Sequence, residues 1–466
     1  MKTKKIALVE AGAHATHIFS RTYLPRVGIP TLGAILKERG FACDIWFQAL
    51  PGYQENRLLD YDIIGIGSLS STIDQAYALA GFLKSRGKTV IMGGPHVSFM
   101  PEEALTYCDY VVIGEGDEAF PALIEALHAG KVTEGIPGMA FSLPEGIQTT
   151  PAGGAVDMAC LPSPDFTLAP QVSQGKIPPI ITTSRGCPHD CSFCSVTALF
   201  GRRYRFKPAQ QTIEELRPIS HRSVCFGDDN FCANPKRAKE LLREMIRQDV
   251  VPLRWSGQMT VQAALDDEML DLMQRTRCRT MYVGIESVNP ETLKKFGKAH
   301  AVDAIARGID NLHRHNIGIH GMFVVNADDT LDSAEQIVDF AIATDIDSIQ
   351  ICSLTPFPGT AAYAEYKDRL LHHEWRYYDG LHVVVDPSRC SAFQMQTAII
   401  EQTKRFYSLG RIAGSYRQGR AWRFKYRVGG YYLIRRWVRE NADYLRRLQT
   451  DSMPDYAHRG RDAFQY

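Results

Sequence analysis

Twice along the chain, short apolar runs alternate with segments of helical periodicity, and this rhythm limits the fold more than any other feature. In the first series Ile6–Glu10, Cys43–Phe47, Ile63–Ser68, Thr89–Gly93 and Tyr110–Ile113 read as buried strands. Thr31–Arg39, Ile73–Arg86 and Glu118–His128 read as helices between or after them. That order predicts an open parallel sheet with helices on both faces, whose ligands sit beyond the carboxyl ends of the strands. Residues 131–179 are rich in Gly and Pro and read as a connector with one hairpin. A second series follows: Ile180–Thr183, Ser223–Phe226, Leu253–Ser256, Thr280–Ile285, Ile317–Val325 and Ser348–Cys352, with helices such as Pro235–Gln248 and Asp303–His315 between them. Six such units predict a partial (β/α) barrel, with its chemistry in the loops after the strands. The fold class is therefore α/β: a doubly wound domain over 1–130, the connector over 131–179, a barrel over 180–365 and a helical region over 366–466.

Composition narrows the class. A chain of 466 residues, 45% hydrophobic and 23% charged, holds two or three cores. A net charge of +1 gives no global field toward nucleic acid. No apolar run reaches the roughly 18 residues that span a bilayer. The apolar run at the start ends at Glu10, too early for a secretory signal, so a cytoplasmic location is expected. Of eleven cysteines, most are scattered through apolar stretches as buried thiols are.

Only Cys187, Cys191 and Cys194 cluster, within Arg185-Gly186-Cys187-Pro188-His189-Asp190-Cys191-Ser192-Phe193-Cys194, directly after the first strand of the second series. This spacing lets one loop wrap an iron–sulfur cubane, since thiolates ligate iron. Three ligands leave the fourth iron open to an amine and a carboxylate. A closed zinc site wants four ligands, and only His189 stands near enough to be the fourth. Unrelated core thiols are the third reading.

This CxxxCxxC run, with an aromatic residue before its last cysteine, resembles the signature of the radical S-adenosylmethionine (SAM) superfamily. The resemblance implies a 4Fe–4S cluster that binds SAM by its methionine part and cleaves it to a 5′-deoxyadenosyl radical. It places Phe193 near the adenine. Asp228 and Asp229, in Gly227-Asp228-Asp229-Asn230-Phe231, stand where the family receives the SAM amino group; capping of the next helix is the alternative. Gln258, ending Trp255-Ser256-Gly257-Gln258, and Glu286 and Ser287, in Gly284-Ile285-Glu286-Ser287, would contact the ribose or the methionine carboxylate. Asn289-Pro290 is also a good helix start. Gly321 matches a position where backbone approaches adenine, and a packing glycine explains it equally. Thr355-Pro356-Phe357-Pro358-Gly359-Thr360 reads as a structural turn.

Residues 5–130 resemble the cobalamin-binding domain fused to many of these enzymes. Ser68-Leu69-Ser70, Gly93 and Gly94 before Pro95-His96, and Gly114-Glu115-Gly116 carry the resemblance, each at a strand end. Small residues there let the nucleotide tail pass, and hydroxyls bond it. The histidine motif that ligates cobalt in methionine-synthase-type domains is replaced by Glu10-Ala11-Gly12-Ala13-His14-Ala15-Thr16-His17. His14 or His17 as cobalt ligand, a cobalt with no protein ligand, and a domain that has lost cobalamin all follow as readings.

Over residues 5–365 the chain thus resembles the cobalamin-dependent radical SAM class, which includes hopanoid methylases and the anaerobic magnesium-protoporphyrin monomethyl ester cyclase. The resemblance implies methylation of an unactivated carbon or phosphorus centre, with flavodoxin or ferredoxin as electron donor. Radical cyclisation or carbon–carbon coupling without net methylation is the second reading, and a cluster or cobalamin sensor the third. No residue is singled out as catalytic. Near the carboxyl end Arg420, Trp422, Arg423, Phe424, Lys425, Tyr426, Arg427, Tyr431, Tyr432, Arg435, Arg436, Trp437 and Arg439 mix cations with rings. That mixture suits an anionic membrane surface and a hydrophobic substrate; a helix pair packing its rings on the barrel suits it too.

Overall fold

The computed structural model describes residues 4–13, 24–131, 133, 135–172, 179–298, 302–417 and 421–450. The chain divides into two compact units. Of the described residues, the first takes those up to 228 apart from 189–194, and the second takes 189–194 and those from 229 onward.

In the first unit the initial apolar runs form strands β1 (Ile6–Glu10), β2 (Cys43–Phe47), β3 (Ile63–Gly67), β4 (Thr89–Gly93) and β5 (Tyr110–Val112). All five pair in parallel, in the order β2-β1-β3-β4-β5. Their runs are continuously apolar because helices cover both faces. The helix Gly28–Glu38 starts before Thr31, since Pro30 is tolerated in a first turn, where no N–H is needed. Residues of the connector make β6 (Met139–Leu143) and β7 (Gly146–Thr149), an antiparallel hairpin that extends the sheet past β5. Leu8, Ile45, Phe47, Ile63, Ile91, Phe120 and Leu123 share one core. The same unit holds β8 (Ile180–Ile181), β9 (Ser184–Arg185), β10 (Arg205–Phe206) and β11 (Ser223–Phe226). Strands β8 and β11 pair in parallel, while β9 and β10 pair antiparallel.

The second unit is built on four parallel strands: β12 (Arg254–Thr260), β13 (Cys278–Glu286), β14 (Gly318–Val325) and β15 (Ser348–Ser353). Alternation divides their side chains between two faces. Met259, Val283, Ile285, Ile319, Phe323, Ile349 and Ile351 are buried on one. Register aligns Gln258, Tyr282, His320 and Ser348 across the other, with Thr260, Gly284, Met322 and Gln350 one step on.

The helices Ala392–Phe406, Leu409–Arg417, Ala421–Glu440 and Ala442–Gln449 complete this unit. They overturn the membrane reading of the cationic run for its central members. Arg423 is 1% exposed and pairs with Asp345 (2.6 Å) and Asp347. Arg427 donates to the carbonyls of Ile346 (3.2 Å) and Asp347 (3.3 Å) and to Ser415 Oγ (2.8 Å). Trp422 lies so close to Gly318 that a Cβ there would meet its ring at 2.5 Å. Trp437 packs on His382. These cations satisfy buried backbone and carboxylates, as the helix-pair reading requires. Tyr426 and Tyr432 remain exposed, and Arg420 lies outside the described residues. No described helix is long and apolar enough to cross a membrane.

Tyr407 closes the strand row: its hydroxyl accepts from the N–H of Ile349 (2.9 Å) and donates to the Ile349 carbonyl (2.6 Å). These are edge groups of β15 that otherwise want a further strand. Tyr407→Phe strands both in a buried setting and should cost about 1–3 kcal/mol in urea unfolding; an unchanged midpoint would show that the edge finds other partners.

Candidate functional site

In the first unit the carboxyl ends of β3, β4 and β5 carry the segments Ser68–Ser70, Gly93–Gly94 and Gly114–Gly116. Ser68 is fully buried, and its hydroxyl has no hydrogen-bond partner among the described residues. Leu69 beside it is 38% exposed, although apolar. Gly94 adopts φ +114°, and a Cβ there would stand 2.2 Å from the Ser68 carbonyl oxygen. Its glycine is therefore needed for the approach of two strand ends. Ser98 Oγ donates to the Gly94 carbonyl (2.8 Å) and accepts from the Gly114 N–H (2.9 Å), which ties the β4 and β5 loops together. A buried hydroxyl lacking a partner, an exposed leucine and open space at Gly114 fit a cobalamin tail laid over these ends.

Two expected contacts are otherwise engaged. Ser70 Oγ lies 3.0 Å from His96 Nδ1. The Glu115 carboxylate is held by two arginines: Arg185 Nη1 donates to Glu115 Oε2 at 2.8 Å, and Arg205 donates to both oxygens, with Nη1 to Oε2 at 3.0 Å. Arg185 also forks onto Asp117, at 2.5 and 3.2 Å. Burial works against the Arg185 charge, but the Asp117 and Glu115 carboxylates outweigh it and raise its pKa. On the β1 loop, Glu10 accepts from Arg26 N (3.0 Å), and His14 and His17 lie outside the described residues.

The cysteine loop leaves β9. Gly186 turns it at φ +86°, with space for a Cβ closed 2.2 Å away by the Arg203 carbonyl. Cys187 follows at once, and the thiols of Cys187, Cys191 and Cys194 are all partly exposed. Asp228, at the end of β11, is 2% exposed, and its Oδ1 accepts from Thr183 N (3.1 Å), Thr183 Oγ1 (2.8 Å) and Ser184 Oγ. Through Oδ1 this carboxylate pins the strand just before the cysteine loop.

The loop's remainder, 189–194, lies in the second unit and is seated on the turn after the helix Pro290–Lys295. Ser192 Oγ donates to the Lys295 carbonyl (3.3 Å), and Ser192 O accepts from Ala362 N (2.9 Å). Phe193 meets Phe296 edge-on at 4.9 Å. Gly297, at φ +70°, passes so near the Asp190 carbonyl that a Cβ would stand 2.9 Å away. Burial first, and then the Lys298 charge, lower the pKa of His189.

Nearby in this unit, Glu286 ends β13 in the left-handed region at φ +67° and pairs with buried Lys298 at 3.1 Å. Its Oε1 occupies the space a Cβ of Gly284 would need, at 2.6 Å. Ser287 Oγ accepts from Asn289 N (3.1 Å), and Asn289 Oδ1 caps the next helix at Glu291 N (2.9 Å). The turn thus accounts for Ser287 and Asn289, while strain and a buried cation mark Glu286. Gln258 is exposed at β12, and Asp229 is partly buried. Gly321 points the other way: a Cβ would meet Phe323 at 2.9 Å and Ile285 and Ile346 at 3.4 Å, inside the apolar layer. It is a packing glycine, set there by strand alternation. Asn230 is 3% exposed, with neither amide atom partnered among the described residues. Its place beside Asp229 was the only available signal. Arg205, Lys298 and His320 carry none in sequence, because their partners are remote.

The family model of the Radical SAM superfamily matches residues 181–341, and that of the B12 binding domain matches 19–124. Bacteriochlorophyllide d C-12(1)-methyltransferase of Chlorobaculum tepidum is 29% identical over 74% of this chain and 75% of its own. The hopanoid C-2 methylase of Rhodopseudomonas palustris is 30% identical over 62% of this chain and 54% of its own. Among solved structures, the cobalamin-dependent SAM radical enzyme OxsB with aqua-cobalamin and SAM bound superposes with TM-score 0.72 at 15% identity, over 97% of this chain and 76% of that one.

His320 is 8% exposed, with Nδ1 2.9 Å from Ser348 Oγ, and burial pushes its pKa down to about 4. Burial does the same to His372, also to about 4. Unfolded, each titrates near 6.5, so the unfolded chain takes up protons first as pH falls. Stability is therefore full above pH 6.5 and drains away toward pH 4, by about 2 kcal/mol per imidazole at pH 5. Urea midpoints at pH 7 and 5 should show this loss, and His320→Gln should reduce it; equal loss in the variant would clear His320 of the effect.

Proposed function

We propose that this enzyme, a member of the cobalamin-binding radical SAM superfamily, methylates an unactivated carbon or phosphorus centre of a hydrophobic small molecule. The observation that carries the reading is the pairing in one chain of a three-cysteine loop with a domain whose strand ends hold a buried hydroxyl, at Ser68, that lacks a partner among the described residues. When bound, the 4Fe–4S cluster, SAM and cobalamin would supply one-electron cleavage of one SAM and transfer of the methyl group of a second.

The chain's own residues bind and orient. Cys187, Cys191 and Cys194 ligate the cluster and leave one iron to SAM. Asp229 and Asn230 face the polar end of SAM, with Glu286 and Gln258 on its ribose or carboxylate and Phe193 against the adenine. Lys298 pairs with the Glu286 carboxylate at 3.1 Å and fixes its direction. Ser68, Leu69, Gly93, Gly94, Gly114 and Gly116 form the bed of the cobalamin tail. The hydrophobic substrate class rests on the relatives named for bacteriochlorophyllide and hopanoid methylation. An external flavodoxin or ferredoxin supplies the electron that cleaves SAM.

Anaerobic reconstitution should load four irons, and replacing Cys187, Cys191 and Cys194 together by Ala should abolish the cluster and all SAM cleavage. A full cluster in that triple variant would refute the ligand set. With extract from a strain lacking the gene as substrate source, the reconstituted enzyme should release both 5′-deoxyadenosine and S-adenosylhomocysteine. Release of 5′-deoxyadenosine alone would replace methyl transfer by cyclisation or coupling.

A further inference from the structure

Within the first unit, one partly buried charge network joins the loop after β5 to the residue that leads into the cysteine motif. Arg185 and Arg205 stand directly opposite each other in the β9–β10 pair, so their guanidiniums leave the same face. Both converge on Glu115, and Arg185 also takes Asp117. Arg205 adds the Val156 carbonyl at 2.8 Å. The four side chains are only 18%, 17%, 10% and 8% exposed. Two cations and two anions balance there. Forked guanidinium–carboxylate bonds fix distance and angle together.

Little slack lies on either side of this clamp. Between Arg185 and Cys187 stands only Gly186, whose left-handed turn is hemmed in by the Arg203 carbonyl. On the other side Glu115 sits between Gly114 and Gly116, the latter opening the helix Gly116–Ala129. Ser98 ties Gly114 in turn to Gly94. A shift of the β5 loop is thus passed through Glu115 and Arg185 to the first thiol of the cysteine loop.

We propose that Arg185 is a positioning residue that couples the two cofactor sites, holding Cys187 in register with the cobalamin-bearing loop Gly114–Gly116 so that filling one site tightens the other. This rests on the assignment of that loop to cobalamin and of Cys187 to the cluster. Coupling of this kind is reciprocal and commonly amounts to a factor of about five or more. A clamp of purely structural value would change stability and leave that factor alone.

The test titrates hydroxocobalamin, followed by absorbance, into the full-length protein with its cluster reconstituted and into the same protein after chelation. The wild type should bind it about fivefold or more tightly with the cluster present. Arg185→Gln and Glu115→Gln should bring the ratio to within about twofold while each still loads four irons, and Arg185→Lys should fall between. If Arg185→Gln does not fold, Glu115→Gln, which removes charge and keeps shape, decides alone. A wild-type ratio near one, or variants that keep the wild-type ratio, would overturn the proposal. A wild type that binds no cobalamin in either state would instead remove the cofactor assignment beneath it.

Discussion

Parallel strands cannot be joined by a tight turn, and each needs a crossover that returns the chain to the same end of the sheet. The chemistry-bearing loops named above inherit their places from that constraint. Ser68, Gly94 and Gly114 follow β3, β4 and β5; Asp228 and Glu286 close β11 and β13. The loops after β3 and β4 approach so closely that glycine is obligatory at position 94. Chain ends of strands also leave polar groups unspent, as the Ser68 hydroxyl shows.

Buried charge is the second organising cost. This chain buries guanidiniums at Arg185, Arg205, Arg423 and Arg427, and each has carboxylate or carbonyl acceptors set around it. Such pairs contribute little net stability, because desolvation consumes most of the attraction. Their value is geometric: removing one partner strands the other, so the arrangement tolerates few alternatives. The Glu286–Lys298 pair works on the same terms, beside a backbone held in the left-handed region.

Much of the fold was legible in sequence because its strands are continuous apolar runs. β1, β2, β4 and β11 begin and end where periodicity places them. Boundaries drifted where local chemistry ruled: Pro30 admits an earlier helix start, and β12 runs on through the polar residues to Thr260. The spacing of the three cysteines was legible too, because near-neighbour spacing is a property of the chain itself. Gly321 was not, because its meaning depends on which face of β14 it occupies. Nor were Arg423 and Arg427, whose composition imitates a membrane-facing helix until Asp345, Asp347 and Ser415 are brought against them.

From sequence alone came two β/α series, a cysteine loop after the first strand of the second series, and small residues at the strand ends of the first. Those follow from periodicity and near-neighbour spacing, which are properties of the chain itself. Tertiary structure alone decided which partners the carboxylates take. Asp228 belongs to Thr183 and Ser184, and Glu115 to Arg185 and Arg205, at separations of 44 to 90 residues. A charged side chain takes the partner that folding brings within about 3 Å, and no local pattern encodes that distance.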